Sequence, residues 1–363
     1  MRLVLNPFAT RGPYTPEEAR ITTRAAAEDA RREIRHWPGY APSPLRPLNA
    51  VAAELKLGQV LLKDESGRLG QGSFKSLGGA YAAALKLREI GGDGPVTLCC
   101  ATDGNHGRSV AFAASRLGCS AVVYMHENAL EYKADAIRAL GAQVVRTPGT
   151  YDDSVRVAKA DAEREGWLLI SDTSDPNDQT VHRVMRGYGV MVLELLEQLS
   201  SEQLPTHVFL QGGVGGLAAG VSGVLSEVLG EHRPKFIIVE PETAACLLES
   251  AVRFEPSRVE GDLHTEMHML AAGEASAAAW PILQSRIDGF MAIEDTPAVA
   301  TAARLNAAES GREALDIGVT GAGSLAGVFE LMRRPHLAAL FGLDETSRVL
   351  AFGTEAGPPR SAN

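Results

Sequence analysis

From about residue 60 to residue 240, short apolar runs alternate with longer amphipathic stretches. The runs at 60–63, 96–101, 121–125, 143–146, 168–171, 207–211 and 236–240 predict strands. The stretches at 74–90, 106–117, 132–140, 152–165, 180–199 and 217–229 carry helical periodicity. Strands that read as unbroken apolar runs, each followed by a helix, are buried on both faces and joined by crossover helices. The expected fold is therefore α/β, with open, twisted, mostly parallel sheets and helices on both faces. In such sheets ligands bind at loops beyond the strand C-termini.

Three of those loops carry chemistry. The first runs Lys63-Asp64-Glu65-Ser66 to Gly70-Gln71-Gly72-Ser73-Phe74-Lys75 and enters a helix. A lysine at a helix start feels the positive end of the helix dipole, which frees its amine as a nucleophile. The competing interpretation is a surface lysine, the fate of most lysines. The second is Asp103-Gly104-Asn105-His106-Gly107, between a strand and a helix. Its small residues open backbone N–H groups to an anion, Asn105 can donate to a ring oxygen, and Asp103 can act as acid or base. Asp and Asn are also ordinary helix N-caps. The third is Gly212-Gly213-Val214-Gly215-Gly216, a glycine loop suited to a phosphate at a helix N-terminus.

The third loop has a rival interpretation. Gly213-x-Gly215-x-x-Ala218, then a strand ending at Glu240, also resembles a dinucleotide fingerprint with its ribose-binding acid. No GK[ST] follows, which excludes a nucleoside-triphosphate loop. The combination favours pyridoxal phosphate (PLP): that cofactor needs an amine, a loop for carboxylate and ring oxygen, and a phosphate cradle. A dinucleotide enzyme has no use for the first two loops.

Composition narrows the picture. The chain has 363 residues and a net charge of −10, which argues against nucleic acid as a partner. Arg31, Arg32 and Arg35 read as a solvated helix face. No apolar run is long enough for a membrane span. The start, Met1-Arg2 followed closely by Pro7, lacks the pattern of a secretory signal. The four cysteines form no CxxC pair. A cytoplasmic protein is expected. His264 and His268 flank Glu266 at a spacing that binds metal on a helix, but a solvated or structural role is expected without a third ligand. His106 is expected to pack beneath its loop rather than to act as a base.

With these residues in view, the chain resembles the fold type II PLP enzymes (tryptophan-synthase-β-like), and among them the diaminopropionate ammonia-lyase family. The similar stretches are Lys63–Ser66, Phe74–Gly79, Ala101–Arg108, Ser171-Asp172-Thr173, Gly187-Tyr188-Gly189, the 212–216 loop, Val239-Glu240-Pro241 and Leu270–Glu274. The resemblance implies that Lys75, beside Phe74, holds the cofactor as a Schiff base and shuttles the Cα proton. It implies that Asn105 meets the ring O3′, and that Gly212, Gly213, Val214, Gly215 and Gly216 bind phosphate. Asp103 and Asp172 would take the Cα proton from opposite faces, one for each enantiomer. Thr354 falls where the family places the partner of the pyridine nitrogen.

The family also implies a large discontinuous domain (1–82 and 188–363), a smaller mobile one (83–187), and a homodimer acting on a small amino acid. The implied reaction is α,β-elimination giving an α-keto acid and ammonia. The alternative is dehydration of a serine- or threonine-type, or bulkier, β-hydroxy amino acid. Dehydratases of this fold carry Ser-Gly-Asn where this chain has Asp103-Gly104-Asn105, so Asp103 favours a cationic β-amine. Departures at Ser174–Asn177 and at Thr320-Gly321-Ala322-Gly323-Ser324 bear on substrate rather than cofactor.

Overall fold

The computed structural model describes residues 1–91, 94–171, 179–308 and 313–359. Its strands are β1 (Arg2–Leu5), β2 (Leu45–Pro47), β3 (Gln59–Asp64), β4 (Thr97–Ala101), β5 (Ser120–His126), β6 (Gln143–Thr147), β7 (Leu168–Leu169), β8 (His207–Gln211), β9 (Lys235–Pro241), β10 (Gly289–Ile293) and β11 (Arg348–Gly353). They form a seven-stranded sheet in the order β1-β10-β9-β8-β11-β3-β2 and a four-stranded sheet in the order β6-β5-β4-β7. The four-stranded sheet is parallel throughout. The larger one is parallel except at its two edges, where β1 and β2 run antiparallel to their neighbours.

Alternation explains the continuous apolar runs. In β8, Val208 and Leu210 pack into one core while Phe209 packs into the other, on the opposite face of the sheet. In β9, Phe236 and Ile238 divide from Ile237 and Val239 in the same way. A strand covered by helices on both faces has no polar side to show. The expected fold class is thus the observed one.

The sequence assigned no element beyond residue 241. The structure adds β10, β11 and the helices Asp295–Asn306 and Val319–Met332 there. β11 is central: it lies between β8 and β3. The N-terminal segment also adds β1 at one edge and the helix Arg24–Ile34. On that helix Arg31 pairs with Glu197 and Arg32 with Asp29, the solvated face that was expected.

Strand polarity decides where a ligand can bind. β3, β8 and β11 end on the same side of the large sheet, and β4 of the small sheet ends facing them across a cleft. The loops after these four strands all line that cleft.

Candidate active site

The cleft opens to solvent and spans about 830 Å³ of space outside the protein atoms, open solvent included. Lys75 lines it as the first residue of the helix Lys75–Ile90. The Ser73 hydroxyl receives the Lys75 N–H at 3.2 Å, fixing the helix start. The loop before it is stitched to the end of β11. Glu65 N donates to Gly353 O (2.8 Å), Phe74 N to Thr354 O (3.2 Å) and Ala356 N to Gly72 O (2.9 Å). Phe74 meets Tyr188 edge-on with ring centroids 4.7 Å apart, forming an aromatic wall.

Behind this loop sits a buried charge cluster. Glu194 accepts from Lys63 Nζ (3.1 Å) and from Arg68 Nη1 and Nη2 (2.8 and 2.7 Å), and Arg68 also holds Glu65. Two cations face two anions, so the net charge is zero and each group has its partners.

On the opposite wall, Asp103, Gly104, Asn105 and His106 line the cleft. Asp103 Oδ1 lies 3.1 Å from His126 Nε2. His106 points away, with Nε2 at 2.8 Å from Ile170 O, which fits packing rather than catalysis. Asn105 is buried, with Lys133 donating to its Oδ1 (2.8 Å) and its Nδ2 donating to Glu355 (2.5 Å).

The glycine loop leaves β8 and enters the helix Gly216–Leu229. Gly212, Gly213, Val214 and Gly216 line the cleft. The N–H of Gly212 is committed to Val239 O at 2.9 Å, so the anion-facing amides begin at Gly213. Gly212 is needed for space: a Cβ there would sit 2.4 Å from Glu240 Cγ. Gly215 is the N-cap residue of the helix Gly216–Leu229. With φ at +103° it turns the chain into the helix, and a side chain there would strike Leu283.

Glu240 itself is fully buried and caps the helix Cys246–Arg253, accepting from Leu247 N (2.9 Å) and Leu248 N (2.8 Å). A carboxylate enclosed in this way cannot reach a ribose hydroxyl, which removes the dinucleotide rival. Burial pushes its carboxyl up to about 8, against the two N–H bonds that favour the charged form.

Thr354 lines the cleft and is buried, presenting a neutral hydroxyl. Asp172 lies outside the described residues. Thr320, from the 320–324 segment expected to bear on substrate, lines the cleft, as do Gln211, Tyr151 and Met269, to which sequence reasoning gave no role. Gln211 Nε2 ties two elements together by donating to Gly321 O (3.0 Å) and Phe352 O (2.8 Å). Its position as the last residue of a strand was the available signal. His264 and His268 do not share a helix.

One amine, a glycine loop at a helix N-terminus, a buried amide and a neutral hydroxyl converge on one cleft. These residues fit PLP: a covalent anchor, a phosphate cradle and partners for the ring. A model of the family described as pyridoxal-phosphate dependent enzyme matches residues 36–340. The chain is also 38% identical over 349 residues to the diaminopropionate ammonia-lyase of Salmonella typhimurium, covering 88% of this chain and 86% of that one. The chain belongs to the diaminopropionate ammonia-lyase family of PLP-dependent enzymes.

The Escherichia coli K12 diaminopropionate ammonia-lyase is 35% identical over 365 residues, covering 94% and 91% of the two chains. A structure of the E. coli diaminopropionate ammonia-lyase, in complex with an aminoacrylate-PLP azomethine reaction intermediate, superposes with a TM-score of 0.90. That match has 33% identity and covers 98% of this chain and 93% of that chain. A probable D-serine dehydratase of Acinetobacter baumannii is more distant, at 27% over 328 residues and 68% of its length. As a member of this ammonia-lyase family, the chain uses PLP and catalyses an elimination that releases ammonia.

Proposed function

We propose that the substrate is 2,3-diaminopropionate, taken to pyruvate and two ammonia with one water. The observation that carries this is Asp103: a carboxylate in the same cleft as Lys75, where a cationic β-amine gains and a neutral hydroxyl does not. The Salmonella and E. coli relatives bear that substrate in their names, which supports the same choice.

Lys75 would hold the cofactor through Nζ. The amides from Gly213 to Gly216, at the positive end of their helix, would bind its phosphate. Asn105 Nδ2 would donate to the ring oxygen, and the Thr354 hydroxyl to the pyridine nitrogen, leaving that nitrogen uncharged. When bound, PLP supplies the sink for the electron pair left at Cα. Lys75 Nζ or the Asp103 carboxylate would remove the Cα proton, with Asp172 serving the opposite face. As the Cα–H bond breaks, the Cβ–N bond breaks too, and the cationic β-amine leaves as neutral ammonia with the bonding pair while the Cα proton stays on the base. The released enamine then hydrolyses to the keto acid and the second ammonia. Phe74 and Tyr188 would keep bulk water from the reacting carbons.

We further propose that residues 83–187 close over the substrate, and that the enzyme is a cytoplasmic homodimer. The four cysteines form no disulfide, as a reducing compartment favours. No helix among the described residues is long and apolar enough to cross a membrane. Identical small-angle scattering with and without substrate would count against closure, and a monomer mass by light scattering against the dimer.

The test of the substrate is keto-acid release from D- and L-2,3-diaminopropionate, serine, threonine and bulkier β-hydroxy amino acids, beside Lys75→Ala. Turnover of diaminopropionate, lost in the variant, is expected. Turnover of hydroxy amino acids alone would make the enzyme a dehydratase.

A further inference from the structure

Three groups, one from each of three separate elements, meet beside the cofactor cleft. Asn105 opens the helix Asn105–Leu117, Lys133 stands on the helix Glu131–Arg138, and Glu355 follows the end of β11. All three are buried. Lys133 Nζ donates to Asn105 Oδ1 at 2.8 Å and to Glu355 Oε2 at 2.9 Å, and Asn105 Nδ2 donates to the same Glu355 oxygen at 2.5 Å.

The chemistry of the partners dictates the orientation of the amide. An ammonium can only donate, so it must meet Oδ1; an ionised carboxylate can only accept, so it must meet Nδ2. The reversed amide would set N–H against ammonium and oxygen against carboxylate. Asn105 is therefore held with one Nδ2 hydrogen in Glu355 and the other uncommitted by either partner.

The surrounding backbone is built for this clamp. A Cβ at Gly104 would sit 2.9 Å from Lys133 Cβ and Cγ, so the lysine stem lies directly on the Asp103-Gly104-Asn105 turn. Glu355 pairs by an antiparallel bridge with Ser73, two residues before Lys75, and its carbonyl receives Gly318 N at 3.0 Å. The Lys133–Glu355 ion pair thus joins the small sheet to the large one while gripping a residue that lines the cleft.

We propose that Lys133 and Glu355 are positioning residues for the cofactor: they fix the Asn105 amide so that its second Nδ2 hydrogen is presented to the ring oxygen. This rests on the assignment of Asn105 to that oxygen. Neither residue need touch substrate or cofactor.

The test is a double-mutant cycle on the PLP-loaded enzyme, read as the PLP dissociation constant and the absorbance spectrum of bound cofactor. Lys133→Met is expected to weaken PLP retention about tenfold and to shift the spectrum. Lys133→Gln, which keeps a donor for Oδ1, is expected to restore most of both. In the Asn105→Ala background Lys133→Met is expected to change neither, because the amide it orients is gone. Glu355→Gln runs in parallel and covers the case of a Lys133→Met protein that does not fold. If Asn105→Ala leaves retention and spectrum unchanged, the assignment of Asn105 fails and the proposal with it. If Asn105→Ala perturbs both but Lys133→Met acts equally in either background, the assignment stands and the clamp is refuted.

Discussion

Replacing Glu194 by leucine removes one anion from the buried cluster behind the Lys75 loop. The wild-type carboxylate is enclosed and accepts from Lys63 Nζ, both terminal nitrogens of Arg68, the Tyr40 hydroxyl (3.1 Å) and Ser43 N (3.1 Å). Burial alone would raise its carboxyl, but Arg68 and Lys63 outweigh this and hold it below the usual range. Leucine matches the volume and supplies no charge. Lys63 then keeps only neutral acceptors, Ser43 O and Gln198 Oε1. One uncompensated cation in a dry interior costs about 3–5 kcal/mol.

Equilibrium guanidinium unfolding of the PLP-loaded protein, followed by tryptophan fluorescence, measures the loss. The double variant Lys63→Met/Glu194→Leu keeps the neutral Arg68–Glu65 pair, so it is expected to recover about half of the loss despite carrying two changes. Because the cluster braces the chain that delivers Lys75, PLP retention should fall with Glu194→Leu and return with the double. A loss below about 1 kcal/mol, or a double variant no more stable than the single, would refute the reasoning.

Glu240 gives a pH signature. Its carboxyl is raised from 4.5 to about 8 in the fold, so its contribution to stability is complete below 4.5 and is lost as pH rises toward about 8. The stability of wild type relative to Glu240→Gln should fall across that window and level off above it; parallel pH curves would contradict this. Gly78→Ala places a methyl 2.4 Å from Tyr188 Cε1 and 2.7 Å from Val184 O, where two helices touch. It should cost about 1–3 kcal/mol in thermal unfolding and weaken PLP binding through the displaced Tyr188 ring; an unchanged Tm would show that the helices can part.

The strands from β3 to β9 were legible because buried parallel strands leave apolar runs between amphipathic helices. The three loops were legible because each joins a strand to a helix with residues whose chemistry fits one cofactor. β11 was missed although Val349–Phe352 is an apolar run and the helix Pro335–Phe341 precedes it. Glu240 shows where sequence falls short: a ribose ligand and a helix cap both require an acid at a strand end, and only packing separates them. The same holds for Gly212, whose N–H belongs to the sheet. Lys133 and Glu355 meet across 222 residues, and no local motif announces that contact.

The most direct measurement is borohydride reduction of the PLP-loaded enzyme, followed by digestion and mass mapping. A single pyridoxyl label on Lys75, absent from Lys75→Ala, is the expected result. A label on another lysine, or an equally labelled Lys75→Ala protein, would contradict Lys75 as the residue that carries the cofactor.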